Sequence, residues 1–251
     1  MRTIPIGKSI TPQIPVAHFD RIEQLIASAA PPFAVLPCIC REKKAIQGEP
    51  CTRTGRKETC MAMGNVAHTV IEMGIGREIS RAEATRIIQT NQKEGLVLQP
   101  SNTRNIDFLC SCCGCCCSML GLQKDLPVPL DFWTANFRVR LDASRCLGCG
   151  KCVKHCQAGA LEPTSGPEKK TAPRLNPRRC IGCGVCVPVC PANALALEAK
   201  PAVQTPPRTR DDLSRILLKD RKNPLAPVKT IGKLARGIMQ TRDLRLLRKS
   251  K

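Results

Sequence analysis

The sequence predicts an α+β chain in three parts: a mainly helical, cysteine-rich region over 1–136, a compact α+β module over 137–199, and a Pro-rich linker with a basic amphipathic tail over 200–251. Three observations lead there. A four-cysteine run, Cys146-x2-Cys149-x2-Cys152-x3-Cys156, recurs as Cys180-x2-Cys183-x2-Cys186-x3-Cys190 between short apolar stretches. Helix start and stop signals crowd the segment between residues 20 and 95. Charge is uneven: of the net +20, the last 44 residues carry fourteen basic and four acidic side chains.

The elements follow in chain order. Asp20-Arg21-Ile22-Glu23 is a capping-box sequence and opens a first helix. A second helix runs from about Met61 to Met73 and stops at Gly74. Ser80-Arg81-Ala82-Glu83 opens a third, to about Glu94, with Gly95 as its C-terminal cap. Leu96-Val97-Leu98 then reads as a strand. Helix, helix and short strand resemble the winged-helix layout; the competing reading is a small helical scaffold that brings two cysteine groups together. Phe137-Arg138-Val139-Arg140-Leu141 alternates apolar and polar, as a half-buried strand does. Ala160-Leu161 and Leu195-Ala196-Leu197 supply two more short strands. Glu162 to Asn176, with Pro163, Gly166, Pro167 and Pro173, reads as a surface loop. After Pro201 to Pro207, Asp212 caps a helix presenting Leu213, Ile216 and Leu217. Pro224 and Pro227 separate it from a second, where Ile231, Leu234, Ala235 and Ile238 form one apolar stripe. Leu244, Leu246 and Leu247 continue the apolar content among Arg242, Arg245 and Arg248. The linker is expected to hold this tail away from the module.

The repeated run decides the chemistry. Its spacers, Leu147-Gly148, Gly150-Lys151, Ile181-Gly182 and Gly184-Val185, each place a glycine where a side chain would crowd a loop wrapping a metal–sulfur group. Zinc knuckles use paired Cys-x2-Cys units separated by longer loops, which this is not. Residues 137–199 closely resemble the bacterial two-cluster ferredoxins. The resemblance implies a ferredoxin-like α+β dicluster module holding two [4Fe–4S] clusters, each run giving three thiolates to one cluster and its fourth to the other. One cluster would then take Cys146, Cys149, Cys152 and Cys190, its neighbour Cys180, Cys183, Cys186 and Cys156. Pro191 follows Cys190 as in that family, whereas Gln157 follows Cys156.

Ten further cysteines form two groups, Cys38, Cys40, Cys51 and Cys60, then Cys110, Cys112, Cys113, Cys115, Cys116 and Cys117. Adjacent thiols such as Cys112-Cys113 suit metal thiolates better than a set of disulfides. The whole pattern is similar to that of iron–sulfur proteins in which a terminal two-cluster ferredoxin follows a cysteine-rich domain with a Pro-Cys-x-Cys-Arg start (Pro37 to Arg41) and a Cys-Cys-x-Cys-Cys-Cys centre (Cys112 to Cys117). The expectation is one or two further iron–sulfur clusters on these ten residues; structural zinc, and a catalytic thiol or exchangeable disulfide, stay open. Adjacent cysteines point in different directions, so Cys110–Cys117 cannot all bind one cluster.

Other chemistry finds no support. There is no glycine-rich dinucleotide fingerprint after a strand and no phosphate loop. Of three histidines, His155 beside Cys156 is near a ligand or faces solvent, His68 sits on a helix surface or in packing, and His18 is uninformative. Electron transfer without a catalytic residue is therefore expected, as a subunit or dedicated partner of an oxidoreductase complex. The alternatives are a redox- or metal-sensing regulator and an enzyme whose N-terminal cluster has an open iron that binds substrate. No signal core, twin arginine or apolar run near the ~20 residues of a membrane span occurs. The thiols imply a reducing, cytoplasmic setting, at the inner face of a membrane in one variant. The basic tail fits a docking arm for an acidic protein surface, a peripheral membrane anchor or a solvated extension. Nucleic acid is disfavoured, because no aromatic stacking residue lies in it.

Overall fold

A computed structural model describes residues 2–164 and 171–243 of the chain. The N-terminal region contains β1 (Arg2–Thr3), α1 (Ile22–Ser28), β2 (Phe33–Pro37), α2 (Ile39–Ile46), β3 (Glu58–Met63), α3 (Asn65–Glu72), β4 (Arg77–Ile79), α4 (Arg81–Lys93), β5 (Val97–Pro100), β6 (Phe108–Cys112), α5 (Ser118–Asp125) and β7 (Thr134–Ala135). Its centre is an antiparallel sheet of five strands in the order β4-β2-β3-β6-β5. The expected helical scaffold is thus corrected to a mixed α/β layer, and the winged-helix layout is not present.

Alternation explains the sheet. On β2, Phe33 and Val35 point into one core with Ile22, Leu25, Met61, Met63 and Ile88, beneath α1 and α4. Ala34 and Leu36 point the other way, with Cys38, Cys60, Ala62 and Ala67, beneath α3. Residues 61–63, expected to begin a helix, instead extend as β3, because Cys60 and Ala62 must face α3 while Met61 and Met63 face α4. Gly64, at φ +56°, turns the chain into α3. Ser80 caps α4, its hydroxyl accepting from Glu83 N–H at 3.1 Å, and Gly95 follows its end. Asp20 caps nothing. It is buried, paired with Arg2 at 2.6 Å, and accepts from Asn136 at 2.7 Å. Burial raises the Asp20 carboxyl above its ordinary value and lowers the Arg2 guanidinium.

The second part has β8 (Phe137–Leu141), α6 (Lys151–His155), β9 (Leu161–Glu162), β10 (Arg174–Leu175) and β11 (Leu195–Ala199). β8 pairs antiparallel with β11, and β9 with β10. The short β10 falls in the stretch expected to be a loop; Gly166 and Pro167 of that stretch lie outside the described residues. Phe137, Val139, Leu161, Leu195 and Leu197 form the module's core. Ile181 and Val185, spacers of the second cysteine run, belong instead to the large N-terminal core. The two parts share packing through that loop.

The tail has α7 (Arg210–Arg221) and α8 (Ala226–Thr241). Thr209, not Asp212, is the N-cap of α7; Asp212 completes the capping box from its third position. The linker does not hold the tail away. Gln204 exchanges hydrogen bonds with Asn136, and Pro207 and Arg208 accept from the backbone of Arg104 and Asn105. Gly237 of α8 packs on Pro127 and Val128. The expected stripe divides: Leu234 and Ile238 are half-buried toward the body, while Ile231 and Ala235 are exposed. Leu244, Arg245, Leu246, Leu247 and Arg248 lie outside the described residues. Among the described residues, no helix is long and apolar enough to cross a membrane.

Candidate functional site

Eighteen free thiols gather in four places. One module cavity is lined by Cys146, Cys149, Cys152 and Cys190, closed by Leu141, Pro191 and Leu195. Another is lined by Cys156, Cys180, Cys183 and Cys186, with Val139, Leu161 and His155 around it. Each quartet draws three thiols from one run and the fourth from the other. His155 lines the second cavity but turns its Nδ1 to the Lys151 carbonyl at 2.8 Å.

Backbone N–H groups point at the sulfurs. Gly148 donates to Cys146 at 3.4 Å, Val139 to Cys180 at 3.4 Å, Ala160 to Cys156 at 3.1 Å and Ala194 to Cys190 at 3.3 Å. The last two bonds are equivalent in the two runs. Such donors stabilise negative sulfur. Burial acts in the opposite sense on the free thiols, pushing Cys183 up to about 12 and Cys186 well above its ordinary value. Thiols that burial keeps from ionising alone, Cys152, Cys180, Cys183 and Cys186, beside N–H donors aimed at Cys146, Cys156, Cys180 and Cys190, suit anionic metal–sulfur chemistry, which supplies the missing cations. The residues fit [4Fe–4S] clusters.

In the N-terminal region seven thiols line a third cavity, of about 270 Å³ against about 10 and 20 Å³ for the two in the module; Cys113 also belongs to a second group, of four, and the other six form a ring. Each thiol of the ring contacts two others, in the closed order Cys38, Cys40, Cys117, Cys112, Cys110, Cys60 and back to Cys38. The sheet explains part of this: Cys60 on β3 and Cys110 and Cys112 on β6 share one face by alternation. Two helix starts supply the rest. Cys38 and Cys117 are the N-cap residues of α2 and α5. Their sulfurs accept from Arg41 and Leu120 N–H, and Cys40 accepts from Ser118 N–H. Hydrogen bonds from Cys117 and Cys38 hold Cys40 down at about 2, and those from Cys112 and Cys60 hold Cys110 at about 5, while Cys38 and Cys112 rise.

The remaining four, Cys51, Cys113, Cys115 and Cys116, form a separate group whose sulfurs all lie within 4.8 Å of one another. Arg41 stands between the two N-terminal groups. It is buried, donates to Thr59 Oγ1 and, at 2.8 Å, to the Ser111 carbonyl. Burial works against its charge, but neighbouring Cys38, Cys113 and Cys51 hold its pKa above the ordinary arginine value.

Two contributors were missed in the sequence. Gln157 is buried between the parts, accepting from Gly114 N–H at 2.7 Å and donating to the Gly95 carbonyl at 3.1 Å. Its place after Cys156, where the other run has proline, was the available signal. Arg179, buried just before Cys180, donates to the Leu126 carbonyl at 3.0 Å and to that of Lys124, closing the end of α5. Nothing in its sequence context marks it.

Fold and thiol geometry together define an iron–sulfur protein. Residues 138–194 match the family model described as a 4Fe-4S dicluster domain, and this segment is a ferredoxin-type dicluster domain. No curated protein matches the chain significantly.

Proposed function

We propose that the chain is an electron-transfer protein working as a subunit or dedicated partner of an oxidoreductase complex. The observation that carries the reading is the exchange of fourth thiols between the two module cavities. In this reading Cys146, Cys149, Cys152 and Cys190 hold one [4Fe–4S] cluster, and Cys156, Cys180, Cys183 and Cys186 hold the other. Bound clusters supply one-electron oxidation and reduction at low reorganisation. The thiolates act as ligands, not as acids or bases, and the N–H donors of Gly148, Val139, Ala160 and Ala194 ease the extra negative charge of the reduced state.

The six-thiol ring is the place for a further iron–sulfur cluster, supported by the size of its cavity and the two helix N-termini turned on it. Gln157 ties the loop Cys112–Cys117 to the Cys156 loop, so the N-terminal thiols lie on the module and not apart from it. The tail leaves Ile216, Leu217, Val228, Ile231 and Met239 exposed among Lys219, Lys229 and Arg236. That surface supports docking on an acidic, partly apolar partner in the cytoplasm; contact with an anionic membrane face is the outcome to be distinguished.

Iron, sulfide and EPR analysis of the anaerobically reduced full chain tests the relay. More than about eight irons per chain, the content of two cubanes, with magnetic coupling in the reduced state, is expected. Only that number, or none, removes the N-terminal cluster or the reading itself. Truncation before residue 208 should abolish partner co-purification while keeping iron content. Loss of binding to anionic vesicles instead would assign the tail to a membrane.

A further inference from the structure

Cys51, Cys113, Cys115 and Cys116 differ from every other thiol set in the molecule by their spacing. Cys51 Sγ is 3.6 Å from Cys113 Sγ and 3.7 Å from Cys115 Sγ, and Cys116 Sγ is 3.7 Å from Cys115 Sγ. All four fall within 4.8 Å of each other, which no other group of three or more potential metal ligands does among the described residues. Four sulfurs at ~2.3 Å from one tetrahedral ion are separated by about 3.8 Å, the edge of that tetrahedron. A cubane places each thiolate on a different iron, pointing outward, and so needs wider separations. Neither quartet in the module falls within that 4.8 Å limit.

We propose that these four cysteines hold a single zinc ion in a closed tetrathiolate site, and that the further cluster is confined to the six-thiol ring. The proposal rests on the reading of the N-terminal region as a metal–thiolate domain but not on electron transfer. Four S–H protons pass to solvent as four Zn–S bonds form, leaving a dianionic site. The surroundings suit that charge. Arg41 lies beside Cys51 and Cys113, Arg53 N–H donates to Cys51 Sγ at 3.4 Å, and Thr52 donates to Cys115 from both backbone and side chain. Cys113 and Cys116 are buried, and all four positions are taken by thiols, which is the character of a structural rather than a catalytic zinc site. The ion would clamp the 51–56 loop onto the 112–117 loop, residues 62 positions apart in the closest pair.

The test is metal analysis and X-ray absorption of the full chain purified anaerobically. One zinc per chain is expected in addition to iron, with four sulfur neighbours at ~2.3 Å. Cys115→Ser, at the exposed member of the set, should lower zinc content several-fold and leave iron content unchanged. Absence of zinc, zinc bound through nitrogen or oxygen, or loss of iron in Cys115→Ser overturns the proposal. The absorption measurement on the unaltered chain decides even if the variant fails to fold. Loss of the two module clusters by Cys190→Ser and Cys156→Ser, with zinc retained, would separate a failure of the relay reading from a failure of this one.

Discussion

Gly150 and Gly184 occupy the same place in the two cysteine runs, and substituting each with alanine should have unequal consequences. Both adopt left-handed backbone, φ +68° and +71°. An alanine therefore carries the same conformational cost at each, about 1–2 kcal/mol. At Gly150 an added Cβ meets nothing within 4 Å, so the cost ends there. At Gly184 it would overlap Ser9 Oγ and come within 2.5 Å of Ser9 Cβ. Ser9 cannot retreat: it is buried, its N–H and hydroxyl both donate to the Ile6 carbonyl at 3.0 and 2.7 Å, and Ile6 N–H is held by the Cys183 carbonyl at 3.0 Å. Overpacking of this kind adds about 1–3 kcal/mol. Anaerobic guanidinium titration, followed through cluster absorbance, should place Gly184→Ala below Gly150→Ala by that difference. Adding Ser9→Gly to Gly184→Ala should recover part of it. Equal midpoints, or a more damaging Gly150→Ala, would refute the docking of the N-terminal segment against the second ligand loop.

Other outcomes follow from single contacts. Arg56 holds Glu94 at 2.6 Å and depresses its carboxyl pKa. The stabilisation is present above the ordinary value of ~4.3 and is lost as pH falls through the lower folded value, so Glu94→Gln should cost about 1 kcal/mol at neutral pH and nothing in acid. Urea titrations at both pH values read this directly, and a difference that persists in acid contradicts it. Asp20→Ala strands Arg2 in the interior and should destabilise by about 3–5 kcal/mol, visible as a lowered thermal midpoint. Gln157→Ala leaves Gly114 N–H and the Gly95 carbonyl without their partner and should cost about 1–3 kcal/mol. Faster hydrogen exchange at Gly114, without loss of the module's iron, is the expected signature.

Legibility in the sequence followed the range of the interaction. The strand Phe137–Leu141 was visible because alternation is local, as was the Leu195–Leu197 part of the strand that runs on to Ala199, and the Ser80 cap because its partner is three residues away. The five-stranded sheet was not. Met61 and Met63 suit a helix as well as a strand, and only pairing with β2 and β6, distant in sequence, decides between them. Asp20 resembled a cap for the same reason: its true partners, Arg2 and Asn136, are 18 and 116 positions away. Among the thiols, the repeated runs are a spacing code readable in one dimension. The division of the other ten into a ring of six and a group of four depends on where β6 ends, since Cys110 and Cys112 lie on it and Cys113 follows it, and on the turn at Gly114. Composition carries neither.

Ile181 and Val185 sit between cysteines of the second run and also fill the N-terminal core. The loop that closes round Cys180, Cys183 and Cys186 is therefore also a wall of another hydrophobic interior. Maturation cannot then proceed in two independent halves. A chain whose N-terminal region has not folded presents that loop unsupported, and a chain whose loop has not closed leaves the N-terminal core open on one side. Delivery of iron and sulfide becomes a checkpoint on folding of the entire body, and the module is a poor candidate for transplantation as a free-standing piece.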